Sequence, residues 1–480
     1  MKDSRPNILV IMSDQFRGDC MGNAGHPDVK TPYLDTLASR GVAFDNAYSA
    51  CPSCIAARAG FHTGLMPEHH GRVGYEDCVP WRYDHTIAGE MARSGYYTKC
   101  VGKMHVHPSR SLQGFHHVEL HDGYLHALRM QDSVSYFEAQ RNSDDYYHWL
   151  RQELGVDADT IDTGLECNSW VSRPWCYDEK YHPTNWVTDR SIDFLRTRDP
   201  EKPFFLMASY LKPHPPLDPP QYYYDMYMNM ELRKPAVGDW EKEHFIDEFD
   251  SKTGPRDEFM IRQMMAGYYG LITHLDHQIG KLIQGLVEHN LYDNTIIIFT
   301  ADHGEELGDH HLFRKSRAYE GSAHIPFIIS APEHLIPGIK RGTRSKAVVE
   351  LMDVMPTVLD MVNAEIPSSI DGKSLVPILK DPDSKVRDYL HGEHSYGPLS
   401  NHWIVTENDK FIWNSDSGTE EYFDLKSDPR ELHGDDGSHE ERKAEMRNIL
   451  IRELTGRPEG FVEDGKLVKG RPYPPTLESK

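Results

Sequence analysis

The chain is poor in cysteine, in basic charge and in long apolar runs, and each shortage excludes a class of protein. Seven cysteines in 480 residues are too few for a disulfide framework, and their odd number leaves at least one thiol unpaired or chemically altered. Cys51-Pro52-Ser53-Cys54 is a CxxC, but no second one accompanies it, which excludes a four-cysteine zinc ribbon. Acid outweighs base: 52 Lys+Arg face 75 Asp+Glu, a formal net charge of −23, so no nucleic-acid partner is expected. A locally basic pocket for a small anion is still compatible with that balance. No apolar run reaches the roughly 20 residues of a membrane-spanning helix, so no membrane partner is expected either. No basic, apolar and small-residue leader precedes the first strand, which as written predicts a cytoplasmic protein, or a periplasmic or secreted one if a leader was trimmed. Repeats and low-complexity tracts are missing, and nothing sets an oligomeric state.

What the chain does have is a recurring grammar of apolar strand followed by polar cluster. Pro6–Met12 reads as a strand buried on both faces and ends in Ser13-Asp14-Gln15. Pro203–Tyr210 is a second such run, leading into Lys212-Pro213-His214, and Thr295–Thr300 a third, leading into Asp302-His303. Residues 31–44 read as a capped helix running into a strand, and 258–290 carry a helical period through Leu271, Leu275, Ile279 and Leu282. This alternation predicts an α/β fold, a large mostly parallel sheet sandwiched by helices. Such sheets hold ligands at their strand carboxyl ends, so three ends bearing Asp or His point to one convergent site. The pattern changes after Leu379. Lys380–Ser384 is rich in turn formers, short strands follow at 402–407 and 410–413, and then a helix at 439–454. The predicted division is a large α/β domain over residues 1–380 and a smaller α+β subdomain over 381–480.

Taken singly, the chemistry-bearing segments each have a plain reading. Cys51-x-x-Cys54 suits a redox pair, or buried thiols at a small-residue helix start. Asp14-Gln15 offers two oxygen donors to a hard cation, or caps a helix. Lys103 and His105 suit a solvated surface.

Together and in order, the segments resemble the type I sulfatase family of the alkaline phosphatase superfamily. Cys54-Ile55-Ala56-Ala57-Arg58, with Thr63-Gly64 beyond it, is similar to that family's maturation motif, with Ala56 where Pro is usual. Asp14-Gln15 stands where Asp-Asp is common, and in this form resembles choline sulfatases and phosphonate monoester hydrolases. Ala301–His310 with Lys315, Gly102-Lys103-Met104-His105, Lys212-Pro213-His214, and Tyr422–Leu432 are similar to four further family segments, extending the resemblance from residue 5 beyond 430.

The resemblance implies an alkaline-phosphatase-like fold whose C-terminal subdomain closes the site. It implies that Cys54 is oxidised to formylglycine by a formylglycine-generating or an anaerobic maturation enzyme. It implies one divalent metal ion, Ca2+ first, with Mn2+, Mg2+ or Zn2+ as alternatives, held by Asp14, Gln15, position 54, Asp302 and His303. The implied catalytic set is Cys54, Arg58, Lys103, His105, His214 and Lys315. A hydrated aldehyde explains why the cysteine must change: one geminal hydroxyl attacks sulfur, and the second then collapses the adduct and expels the anion. Arg58, Lys103, Lys315 and the metal would surround the anion with positive charge. The implied reaction is hydrolysis of a sulfate monoester of a small molecule or glycan, a carbohydrate before an aryl ester. A phosphonate monoester or phosphodiester hydrolase is the alternative within the fold, and a non-catalytic binding protein the alternative outside it. Residues 105–185 and 391–403 are candidate specificity segments. Within the second, Gly392-Glu393-His394 and His402-Trp403 either line a sugar pocket or pack the subdomain. His107, His310 and His311 are expected close to the site, and His324 outside it.

Overall fold

The computed structural model describes residues 5–123, 144–241 and 256–477. Eight strands form its main sheet: β1 (Asn7–Asp14), β2 (Gly41–Tyr48), β3 (Tyr97–Gly102), β4 (His117–Leu120), β5 (Phe204–Pro213), β6 (Thr295–Ala301), β7 (Phe327–Ser330) and β8 (Thr343–Glu350). Their order is β4-β3-β5-β1-β6-β7-β2-β8. Only β7 runs against its neighbours. The rest are mutually parallel, with Ile8 of β1 level with Phe205 on one side and Ile296 on the other.

The unbroken apolar runs follow from this arrangement. A central parallel strand has helices on both faces, so neither face can be polar. All eight residues of β1 are buried. The helices Pro183–Thr197 and Glu258–Glu288 cover the sheet and turn Phe194, Leu195, Leu271, Ile272, Leu275 and Ile279 into the same core. Parallel strands also place their carboxyl ends along one edge. β3, β5, β1 and β6 are consecutive neighbours, roughly 4.8 Å apart, so Lys103, His214, Asp14 and Asp302, which end or follow them, are brought side by side.

A second, antiparallel sheet consists of β9 (Leu390–His394), β10 (Asn401–Val405), β11 (Lys410–Asn414) and β12 (Glu420–Phe423). The helix Glu440–Leu454 covers one face, packing Met446, Leu450 and Leu454 against Ile404, Phe411 and Trp413. The opposite face docks Trp403, Val405, Ile412 and Phe423 onto Tyr48, Ala323 and Val348 of the main domain. This settles one of the open readings. Trp403 is fully buried in that contact, His402 packs edge-on against Phe461, and Arg457 holds Glu393 through two bonds of 2.7 Å. These residues pack the subdomain and do not line a sugar pocket.

Charge reinforces the docking. The fully buried Lys410 ammonium donates to Ala318 O at 2.8 Å, to Glu320 at 2.6 Å and to Glu431 at 2.9 Å. Burial opposes ionisation of Glu431, yet Lys410 and His310 hold its carboxyl down at about 2. His310 is bonded to Glu241 and lies 3.8 Å from Glu431. Burial lowers its pKa, but these carboxylates outweigh that and raise it to about 10.

Lys410→Ala strands the buried Glu431 carboxylate and the half-buried Glu320 and should destabilise the fold by about 3–5 kcal/mol in urea unfolding, whereas Lys385→Ala at the exposed Lys385–Asp388 pair should change it by less than about 0.5 kcal/mol. The raised His310 pKa stabilises fully below its unfolded value of 6.5, and the benefit is lost as pH climbs through about 10. His310→Gln should therefore flatten the decline in urea midpoint between neutral pH and pH 10.

Candidate active site

The site is assembled from strand ends and one helix start. Asp14 closes β1, and Asp302 and His303 follow β6. Cys54 is the first residue of the helix Cys54–Thr63, which begins after β2. One ligand atom from each of Asp14, Cys54, Asp302 and His303 lies within 4.8 Å of the others, and all four residues are buried. Cys54 Sγ is 3.2 Å from His303 Nε2 and 3.7 Å from Asp14 Oδ1. His303 Nδ1–H donates to Gly304 O at 2.9 Å, which leaves the Nε2 lone pair facing the cluster.

Geometry alone requires glycine at two positions in the motifs. Gly64 ends the Cys54 helix at φ +70, and its carbonyl accepts from the Asp371 and Gly372 amides at 2.9 and 3.0 Å. A Cβ on Gly102 would lie 1.9 Å from Ser209 O, so only glycine lets β3 deliver Lys103 beside β5.

Two buried carboxylates side by side need compensation. Arg58, one turn along the helix from Cys54, has no exposed surface. Its Nε donates to Asp302 Oδ2 at 2.9 Å, its second nitrogen lies 3.6 Å from Asp14 Oδ2, and the remaining one donates to Lys103 O at 2.8 Å and Ser209 Oγ at 3.0 Å. This corrects the expectation that Arg58 surrounds the substrate anion. It lies beneath the site and holds the carboxylates. Lys103 Nζ is ion-paired with Asp14. Burial would raise the Asp14 carboxyl, but Lys103 and Arg58 outweigh it and hold it well below its usual range. Burial and Asp14 push the Cys54 thiol upward, and the Lys103 and Lys315 charges pull it down, leaving its pKa lowered.

A cavity of about 210 Å³ opens over Cys54, with Lys103, His105, His214 and Lys315 among its walls. Lys315 donates to Gln15 Oε1 at 2.6 Å and to His214 Nε2 at 3.0 Å. His214 Nδ1–H donates to Pro215 O at 2.6 Å. Burial first, and then the Lys315 charge, push the His214 pKa well below the usual imidazole value. The His105 amide donates to Asp122 at 3.0 Å, and its ring lies 3.7 Å from Asp77.

Other expectations fare differently. Lys212 turns away into a buried ion pair with Asp218. His310 serves the domain contact, and His107 and His311 are not among the cavity walls. His324 pairs with Glu320 at 3.4 Å, outside the site. Residues 124–143 of the first specificity segment lie outside the described residues. Tyr75, Asp122 and Tyr396 line the cavity although no motif announced them. Ser209 carried a faint signal, a small polar residue inside an apolar strand.

The donor set fits a divalent cation: two carboxylates, an imidazole nitrogen and the side chain of position 54, clustered at cation-binding range. Fold and site together define a hydrolase of anionic esters built on the alkaline-phosphatase-like sheet. The sulfatase family model matches residues 6–364, and a model described as the C-terminal part of N-sulphoglucosamine sulphohydrolase matches 308–456. The chain is 50% identical over 474 residues to an arylsulfatase of Clostridium perfringens, covering 98% of each. It is 30% identical to the multifunctional alkaline phosphatase superfamily protein PehA of Trinickia caryophylli, over 89% of this chain and 91% of that one. The phosphonate monoester hydrolase of Agrobacterium radiobacter superposes with a TM-score of 0.77 at 25% identity, over 93% of this chain and 95% of that one. The chain belongs to the sulfatase family. It is a sulfuric ester hydrolase, and membership implies a divalent metal and a formylglycine.

Metal and fold should be linked. EDTA followed by dialysis should lower the melting temperature of the protein, and a divalent ion should restore it. Asp302→Asn should show neither response; an unmoved melting temperature in the unsubstituted protein would count against the metal site.

Proposed function

We propose that the protein hydrolyses sulfate monoesters of ring alcohols, a sulfated carbohydrate in preference to an aryl sulfate, through Cys54 matured to formylglycine. The observation that carries this reading is the position of Cys54 Sγ, 3.2 Å from His303 Nε2 and 3.7 Å from Asp14 Oδ1, beneath a cavity walled by Lys103, His214 and Lys315. Tyr75 and Tyr396 in the same wall supply flat apolar faces for a sugar or aryl ring.

Each residue has a distinct task. Formylglycine, once hydrated, supplies one hydroxyl to attack sulfur and a second to release the sulfate. The metal, when bound by Asp14, Gln15, Asp302, His303 and position 54, supplies positive charge that favours the ionised nucleophile. Arg58 helps hold Asp14 ionised and aims both carboxylates. Lys103, paired with Asp14, faces the anion from one side, and Lys315 from the other. His105 lines the same cavity wall as position 54. The proton for the leaving oxygen comes from the Lys315–His214 pair. At rest Lys315 carries it, because His214 accepts at Nε2 and is held neutral. Oxygen donors from Asp14, Gln15, Asp302 and the hydrated aldehyde outnumber the single His303 imidazole, so Ca2+ is our assignment, and elemental analysis distinguishes it from Mn2+, Mg2+ and Zn2+. Formation of the aldehyde requires a maturation enzyme of the formylglycine-generating or anaerobic kind.

Produced alongside such an enzyme, the peptide spanning residue 54 should weigh about 18 Da less than its cysteine form. The same preparation should turn over sulfate monoesters faster than phosphodiesters; the reverse order would overturn the substrate assignment. Lys315→Ala should lower kcat by roughly 10²–10³, the usual cost of one lost oxyanion donor.

A further inference from the structure

Glu305 was not singled out by any motif, yet it stands where three parts of the site meet. It is 5% exposed. One carboxylate oxygen accepts from the Leu307 amide at 3.1 Å and from the Arg314 amide, closing the base of the loop that returns to Lys315. The other accepts from Gln15 Nε2. The far end of the same Gln15 amide, Oε1, accepts from Lys315 Nζ at 2.6 Å.

Hydrogen-bond chemistry leaves this amide one orientation. An ionised carboxylate only accepts, so the amide end that meets Glu305 must be the NH2 group. An ammonium only donates, so the end that meets Lys315 must be the carbonyl. The Gln15 backbone cannot yield by swinging away. Its amide donates to Asp302 Oδ1 at 3.1 Å, its carbonyl accepts from Tyr268 at 2.6 Å, and its φ is +65. We infer that Glu305 is a positioning residue: by fixing the Gln15 amide and the base of the 305–314 loop, it presents the Gln15 carbonyl to the metal position and to Lys315. The inference rests on the proposed sulfatase chemistry for its kinetic readout, but its metal readout needs no substrate.

E305Q tests it with little change of shape. Glutamine at 305 would bring NH2 against NH2, so the Gln15 amide must rotate and turn its nitrogen toward Lys315. E305Q should lower kcat/KM and metal retention after dialysis, read by elemental analysis, each by roughly 10–100-fold, while the metal-free melting temperature stays near that of the unsubstituted protein. The swap Q15E/E305Q keeps the net charge and restores a donor–acceptor pair with a carboxylate oxygen facing Lys315. It should recover most of both losses. E305Q with unchanged turnover and metal retention would overturn the inference, as would a swap no better than E305Q alone. If E305Q fails to fold, a folded, metal-retaining swap supports the inference and an unfolded swap overturns it. Should the unsubstituted protein retain metal but leave sulfate esters intact, the functional reading falls and the metal arm still judges Glu305. No metal retained in any form would overturn the inference outright.

Discussion

The site depends on the neutralisation of two carboxylates buried at adjacent strand ends. Asp14 and Asp302 follow neighbouring strands, and neither has exposed surface. Without counter-charge such a pair would take up a proton instead of remaining ionised. Arg58 touches both from below, and Lys103 pairs with Asp14 from the cavity side. Arg58 also ties them to Ser209 and to the backbone of Lys103, so four consecutive strands share one charged junction. A planar guanidinium with several donors can do this, whereas a lysine offers a single point of charge.

The same junction explains why the reactive residue lies where it does. Cys54 and Arg58 are one turn apart on one helix, so the group that balances the carboxylates also sets the height of the nucleophile above them. The helix is held at its far end by Gly64 and from behind by the docked subdomain, whose Glu393 amide donates to Ala50 O at 2.8 Å. The subdomain thus acts on the site through the loop before Cys54, with Lys410, Glu431 and His310 fixing its seat.

Much of this was legible in the amino-acid sequence. The apolar runs at Ile8–Met12, Phe204–Ala208 and Ile296–Phe299 read as central strands, and in a parallel sheet the polar residues after them meet at one edge. Sequence order could not show which side chains face inward or downward. Arg58 sits in the maturation motif among cavity candidates, yet helix rotation buries it. Lys212 and His214 are two residues apart, and the chain path sends one to Asp218 and the other to Lys315. His402 and Trp403 were open between sugar contacts and subdomain packing because exposure of an aromatic cannot be read from its identity. Glu305 was hidden for the opposite reason: the role we infer for it acts through the Gln15 amide and the base of the 305–314 loop, contacts that no sequence motif displays.

The central claim is that an oxygen of residue 54 forms a bond to sulfur and that the adduct then breaks at its carbon–oxygen bond to release sulfate, and one mass measurement addresses the first of these steps directly. Cys54→Ser provides a single hydroxyl, enough to accept the sulfuryl group and insufficient to expel it. Incubated with an activated aryl sulfate in the presence of the metal, this variant should gain about 80 Da at residue 54 and release no more than one equivalent of phenol. Repeated turnover by Cys54→Ser, or release of phenol with no added mass at that position, would contradict the account.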